Sequence, residues 1–206
     1  SGNIYDIYKN GETWYNLSDF LEQKLGKSRI LVKYNLATGL ELSSTDDRDS
    51  FINTMAENLT FFDSFDERRS WVIKSFAASR SQALEGLKLI KEASRMSSDK
   101  TVARPFAKPF AFIIEHAETL IPDLDISHMN ELDRQKLVFL RDWLSEEEFI
   151  QSHDLVIFIS QTTSEIQKSV VNLPSMDNII IGYPDYEERR RFITDEISRL
   201  EVESSI

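Results

Sequence analysis

The sequence predicts an α/β fold with a central, mainly parallel sheet of about five strands. Three observations carry this. Short continuous apolar runs at 110–114 (FAFII), 155–159 (LVIFI) and 178–182 (NIIIG) read as strands buried on both faces of a parallel sheet. Between and before them, apolar residues recur at helical spacing, so strands alternate with helices and parallel crossovers follow. A chain of 206 residues with 41% hydrophobic content is also large enough to bury a full core.

In chain order, Ile4-Tyr5-Asp6-Ile7-Tyr8 reads as the first strand, and Lys9-Asn10-Gly11 as a turn. Leu17, Phe20, Leu21 and Leu25 then mark a helix, ended by Gly26 in the left-handed conformation of a C-terminal cap. Gly26-Lys27-Ser28 imitates the end of a phosphate-binding loop, but a helix precedes it and the strand 30–34 follows. Phosphate cradling needs the reverse order, so this is a helix-ending turn. Ser43-Ser44-Thr45-Asp46-Asp47 opens a helical stretch with one face at Phe51, Met55 and Leu59 and another at Trp71, Ile73 and Phe76. Ala83, Leu84, Leu87 and Ile90 continue at helical spacing until Ser97-Ser98-Asp99. Leu132, Leu137, Leu140 and Leu144 make a strong helix between the strands 110–114 and 155–159. After the strand 178–182, Asp185 caps a final helix through Phe192, Ile193, Ile197 and Leu200. The expected core is Leu31, Ile113, Ile114, Ile157, Phe158 and Ile180.

The net charge of −11, from 35 acidic against 24 basic residues, disfavours nucleic acid and anionic membranes as partners. Arg189-Arg190-Arg191 reads as a solvated helix face beside Glu187 and Glu188. There is no cysteine, no apolar run of membrane-spanning length and no signal pattern, so the expected location is the cytoplasm. His116, His128 and His153 lack ligand spacing, so no metal site is expected.

Ligands of an α/β sheet bind beyond the carboxyl ends of its strands, so the residues after each apolar run matter most. After Ile114 comes Glu115-His116-Ala117-Glu118, and after Ile159 comes Ser160-Gln161. Leu173-Pro174-Ser175-Met176-Asp177 precedes the third run, and Gly182-Tyr183-Pro184-Asp185-Tyr186-Glu187-Glu188-Arg189 follows it. These segments resemble the AAA+ ATPases of the P-loop NTPase superfamily. Glu115-His116 is similar to the Walker B acidic pair, Gln161 to the sensor asparagine, and Ser175 stands at the arginine-finger position. The Pro184-Asp185 to Arg189 run is the most distinctive match. The resemblance covers residues 105–200 firmly and those before 42 loosely, and implies a three-layer α/β/α core over 3–200. The stretch 43–80 then reads as a helical insertion, and 201–206 as the start of a linker or lid to a further domain. By the same resemblance the family's small helical lid is missing or truncated, and Ser1-Gly2 reads as a cloning remnant.

By the same resemblance, Lys9-Asn10-Gly11-Glu12-Thr13 occupies the phosphate-loop position, with Glu12 in place of its lysine. One unit-charge pair at about 4 Å and an effective dielectric near 20 is worth roughly 4 kcal/mol, so reversing its sign removes useful phosphate affinity. His116 stands where a carboxylate activates water, and Ser175 cannot stabilise transition-state charge. The combination implies a degenerate, non-hydrolysing core that serves assembly or substrate recognition, with no cofactor of its own. Its partner is another AAA+ module of the same chain or oligomer, where ATP and magnesium belong. Two alternatives stay open: an ATP-binding module with an atypical site that uses Lys9, and a stand-alone adaptor. Glu115, His116 and Glu118 also fit an ordinary strand-to-loop turn.

Overall fold

The computed structural model describes residues 7–10, 13–99, 101 and 106–203. It opens with β1 (Ile7–Asn10) and β2 (Thr13–Asn16), paired antiparallel with Asn10 opposite Thr13. Helix α1 (Leu17–Leu25) follows directly, its N-terminus capped by the Asn16 side chain. Next come β3 (Ile30–Asn35) and β4 (Gly39–Leu42), then α2 (Thr45–Asn58), α3 (Phe65–Ala78) and α4 (Ala83–Ser98). Ser44 caps α2, and Ser64 with Glu67 forms a capping box on α3, as expected of Ser followed three residues later by an acid. The chain continues through β5 (Phe110–Ile114), α5 (Ala117–Leu120), α6 (Glu131–Ser145), α7 (Glu147–Ile150) and β6 (Leu155–Phe158). It closes with α8 (Lys168–Val171) and α9 (Tyr186–Glu203). No described helix is long and apolar enough to cross a membrane.

The main sheet is a mixed one of four strands in the order β4-β3-β5-β6. Strands β3, β5 and β6 are parallel, and β4 runs antiparallel at one edge. Alternation along the strands divides the apolar residues between the two faces. Val32, Tyr34, Phe110, Phe112 and Ile114 point into the larger core with α2, α3, α4 and α6, where Trp143 is 1% exposed. Phe51, Met55, Val72 and Phe76 belong to it, so the stretch 43–80 is built into the principal core. Leu31, Ala111 and Ile113 point to the other face, covered by Leu17, Leu21 and Leu25 of α1. Lys33 lies on that face and ties α1 down through Glu22 at 2.7 Å and Asp19 at 3.1 Å. Burial opposes its charge, but the hydrogen bonds to Glu22 and Asp19 outweigh it and raise its pKa.

The structure differs from the sequence reading in four places. The described part of the segment 4–8, Ile7 and Tyr8, lies in the hairpin rather than in the main sheet, and Ile4 to Asp6 fall outside the described residues. Asn178–Gly182 joins no strand ladder, so the sheet has four strands where about five were expected. A cavity of about 420 Å³ is lined by β6 together with Asn178, Ile179 and Ile181, so the apolar run stands apart from the strand edge. Ile180 is consequently 75% exposed, not core, and Ile157 and Phe158 on the edge strand are only half-buried, whereas Leu31, Ile113 and Ile114 are buried. Gly26 ends α1 in right-handed geometry, not left-handed. A Cβ there would approach Glu22 O to 2.8 Å and Leu31 Cδ1 to 3.3 Å, so close packing, not φ, suits glycine to the position.

Candidate functional site

The parallel strands place Glu115, His116 and Gln161 at one end of the sheet. Ile114 is in register with Phe158, and Ile159 N donates to Ile114 O at 2.9 Å. Glu115, one residue beyond β5, and Gln161, three beyond β6, therefore both follow the carboxyl ends of adjacent strands. Glu115 N donates to Tyr34 O at 2.9 Å, and Glu115 Oε2 accepts from Asn35 Nδ2 at 3.0 Å. Asn35 Oδ1 in turn accepts from Ala37 N and Thr38 N, both at 2.9 Å, so this carboxylate braces the turn between β3 and β4.

His116 has φ 52°, the left-handed region that side chains other than glycine seldom adopt, and it turns the chain from β5 into α5. Ala117 N then donates to Ile159 O at 3.0 Å, which pins this turn to the end of β6. The His116 Nδ1 lies 3.6 Å from Glu118 Oε1, while the buried Glu118 Oε2 has no hydrogen-bond partner among the described residues. Gln161 is exposed and makes no hydrogen bond among the described residues. Ser175 Oγ donates to Leu144 O at 2.8 Å, where it ties the following loop to the end of α6. Among the described residues no cluster of three or more His, Asp or Glu side chains could hold a metal ion.

The segment at the phosphate-loop position has a different architecture. Lys9 and Asn10 end β1 and Thr13 begins β2, while Gly11 and Glu12 lie outside the described residues. An antiparallel hairpin thus stands where a phosphate loop would run from a strand straight into a helix N-terminus. The helix itself starts only at Leu17, and its first-turn donor Asp19 N is taken by Asn16 Oδ1 at 2.8 Å. The Asp19 carboxylate, bonded to Asn16 Nδ2 at 2.8 Å, sits at the same helix end and is favoured there by the helix dipole. One first-turn donor is thus capped from within the chain, and a carboxylate already stands at this helix end.

Lys9 is engaged with helix α9. Its ammonium pairs with Asp195 of α9 and lies 5.3 Å from the Trp14 ring centroid. Trp14 Nε1 donates to the same carboxylate at 3.1 Å, and its ring meets Phe192 edge-on at 5.3 Å. The Lys9 ammonium first, then the Trp14 indole, hold the Asp195 carboxyl below the usual carboxylate range. This contact joins residues 186 positions apart and leaves no local signal in the sequence. A cavity of about 520 Å³ between the hairpin and α9 is lined by Lys9, Trp14, Arg189 and Arg191 among others.

A second polar centre, also unforeseen from the sequence, lies at the opposite end of the sheet. Asp154, 6% exposed, accepts from Phe110 N at 2.7 Å, Ser94 Oγ at 2.8 Å and Ser97 Oγ at 3.1 Å. It clamps α4 to the start of β5 and β6. Burial pushes its carboxyl above the usual range, against the three hydrogen bonds and the nearby Arg29.

Among known families, the model described as AAA+ chaperone, N-terminal Rossmann-like domain matches residues 1–182. Comparison with curated proteins returns no match.

Proposed function

The chain belongs to the AAA+ chaperone N-terminal Rossmann-like family, and from that premise we propose that this domain does not hydrolyse ATP but serves assembly or substrate recognition within a larger AAA+ chaperone. The observation that carries the reading is the hairpin at the phosphate-loop position, followed by a helix whose N-terminus is capped by Asn16 and bears the Asp19 carboxylate. An incoming triphosphate meets the Asn16 cap and the Asp19 carboxylate at this helix end. The remaining vestigial positions agree with it. Glu115 is engaged with Asn35, Lys9 with Asp195 and Ser175 with Leu144, so each does structural work where the resemblance placed nucleotide chemistry. In this reading Glu12 and His116 are departures from the catalytic pattern, and the chemistry of ATP and magnesium resides in the partner AAA+ module of the same chain or oligomer.

Calorimetric titration of the 206-residue chain with ATP and magnesium tests this. The expected result is no binding tighter than a Kd of about 1 mM. A Kd in the low micromolar range overturns the proposal and favours the second reading, an ATP-binding module with an atypical site. The observation on that side is the cavity between the hairpin and α9, where Lys9, Arg189 and Arg191 stand beside the Trp14 ring.

A further inference from the structure

Helix α9 is held to the molecule along one strip of side chains. None of its described side chains belongs to either core, and only Phe192, Asp195 and Glu196 are half-buried, the others being exposed. Phe192 and Asp195, three residues apart and so neighbours on one face, meet Trp14 and Lys9 of the hairpin. The Lys9 ammonium and the Trp14 indole N–H converge on the same oxygen of the Asp195 carboxylate. Through Arg189, Arg191 and Phe192 the helix also walls the cavity that it shares with the hairpin. The connection before it is suited to bending. Residues 177–185 contain no helix, strand or turn, and Tyr183 is 90% exposed. No atom lies within 4 Å of the place where a Cβ would stand on Gly182, so the backbone there is free of close packing.

We infer that α9 is a latched arm, which swings on the segment 177–185 and is held against the hairpin by Asp195 seated on Lys9 and Trp14. The catch is an exposed ion pair. The Lys9 and Asp195 side chains are 41% and 36% exposed, so dissolved salt screens their attraction. Once the carboxylate leaves, the edge-on contact between Trp14 and Phe192 is the principal described contact left on this face. Opening uncovers the Trp14 ring and releases the Lys9 ammonium, while both cores keep all their described side chains. Ionic strength thereby sets the position of the arm without unfolding the sheet.

The test is a distance measurement by pulsed dipolar spectroscopy between spin labels on Lys74→Cys of α3 and Ile197→Cys of α9, two exposed positions in a chain that has no cysteine of its own. The same pair is measured with Asp195→Ala added, which removes the catch and keeps a good helix former. At about 0.01 M sodium chloride the parent should show one dominant distance, and the Asp195→Ala protein should show a second distance whose population is about ten-fold greater than in the parent. At about 1 M the second distance should grow in the parent and change little in Asp195→Ala. Urea midpoints of the two proteins should coincide, because the core is untouched. One unchanged distance in every sample overturns the inference. So does an equal response to salt in both proteins, or a urea midpoint lowered by Asp195→Ala, since α9 then unfolds together with the core.

Discussion

Removing the buried Asp154 carboxylate should cost more stability than any change at the vestigial nucleotide positions. In Asp154→Ala the backbone Phe110 N–H loses its acceptor in a buried strand, and the hydroxyls of Ser94 and Ser97 lose theirs. The hydroxyls can rotate toward other acceptors, whereas the strand N–H cannot. One orphaned buried donor costs about 1–3 kcal/mol, and loss of a charge-assisted bond about as much again, so the expected destabilisation is about 3 kcal/mol. Asp154→Asn behaves differently, because its Oδ1 keeps the Phe110 bond and its amide can donate to a serine oxygen. That variant should lie within about 1 kcal/mol of the parent near neutral pH. The two differ in pH dependence. Because the folded carboxyl titrates above its unfolded value, its protonation contributes stability that is fully present below the unfolded value and is lost as pH rises through the raised folded value. Acidification from neutrality toward pH 4 should therefore stabilise the parent relative to Asp154→Asn. Urea unfolding of the three proteins near pH 7 and near pH 4.5 measures both effects. An alanine variant that loses under about 1 kcal/mol, or an asparagine variant whose pH dependence parallels the parent's, refutes the reasoning.

Gly39→Ala should destabilise by about 2–4 kcal/mol in chemical unfolding, since left-handed backbone and a clash act together. Gly39 has φ 80°, and a Cβ there would fall 2.6 Å from Ser79 Oγ and 2.9 Å from Arg80 N. Ile113→Ala should cost about 3 kcal/mol in the same assay, while Ile180→Ala stays within about 0.5 kcal/mol. The contrast follows from exposures of 0% and 75% for two residues in similar apolar runs.

Local chemistry made much of this protein readable. The helices α1, α2, α3, α4, α6 and α9 announced themselves through apolar spacing and, for α9, the cap Asp185, because capping and amphipathic periodicity act within a few residues. Strands β3, β5 and β6 were legible for a similar reason: short runs rich in apolar and β-branched residues are local, and these three find burial in the sheet. The likeness of Glu115, His116 and Gln161 to one family's strand ends lay in the same local segments, and the parallel register puts them at one end of the sheet.

Pairing and edge position depended on the tertiary structure. The short β4 carries few strand formers and exists because β3 offers it a ladder, whereas the isoleucine-rich run at 178–182 finds none and stays exposed. The same limit applies to the polar side chains. Asp154, Asp19 and Lys9 carry nothing in their neighbours to distinguish them from surface residues, and each acquires its role from a donor or acceptor on another element. A side chain's periodicity is inherited from the helix or strand that carries it, but its partner comes from the path of the whole chain. For that reason Gly-Lys-Ser at 26–28 could be dismissed from the sequence, while the hairpin at 7–16 became visible only when the chain was folded.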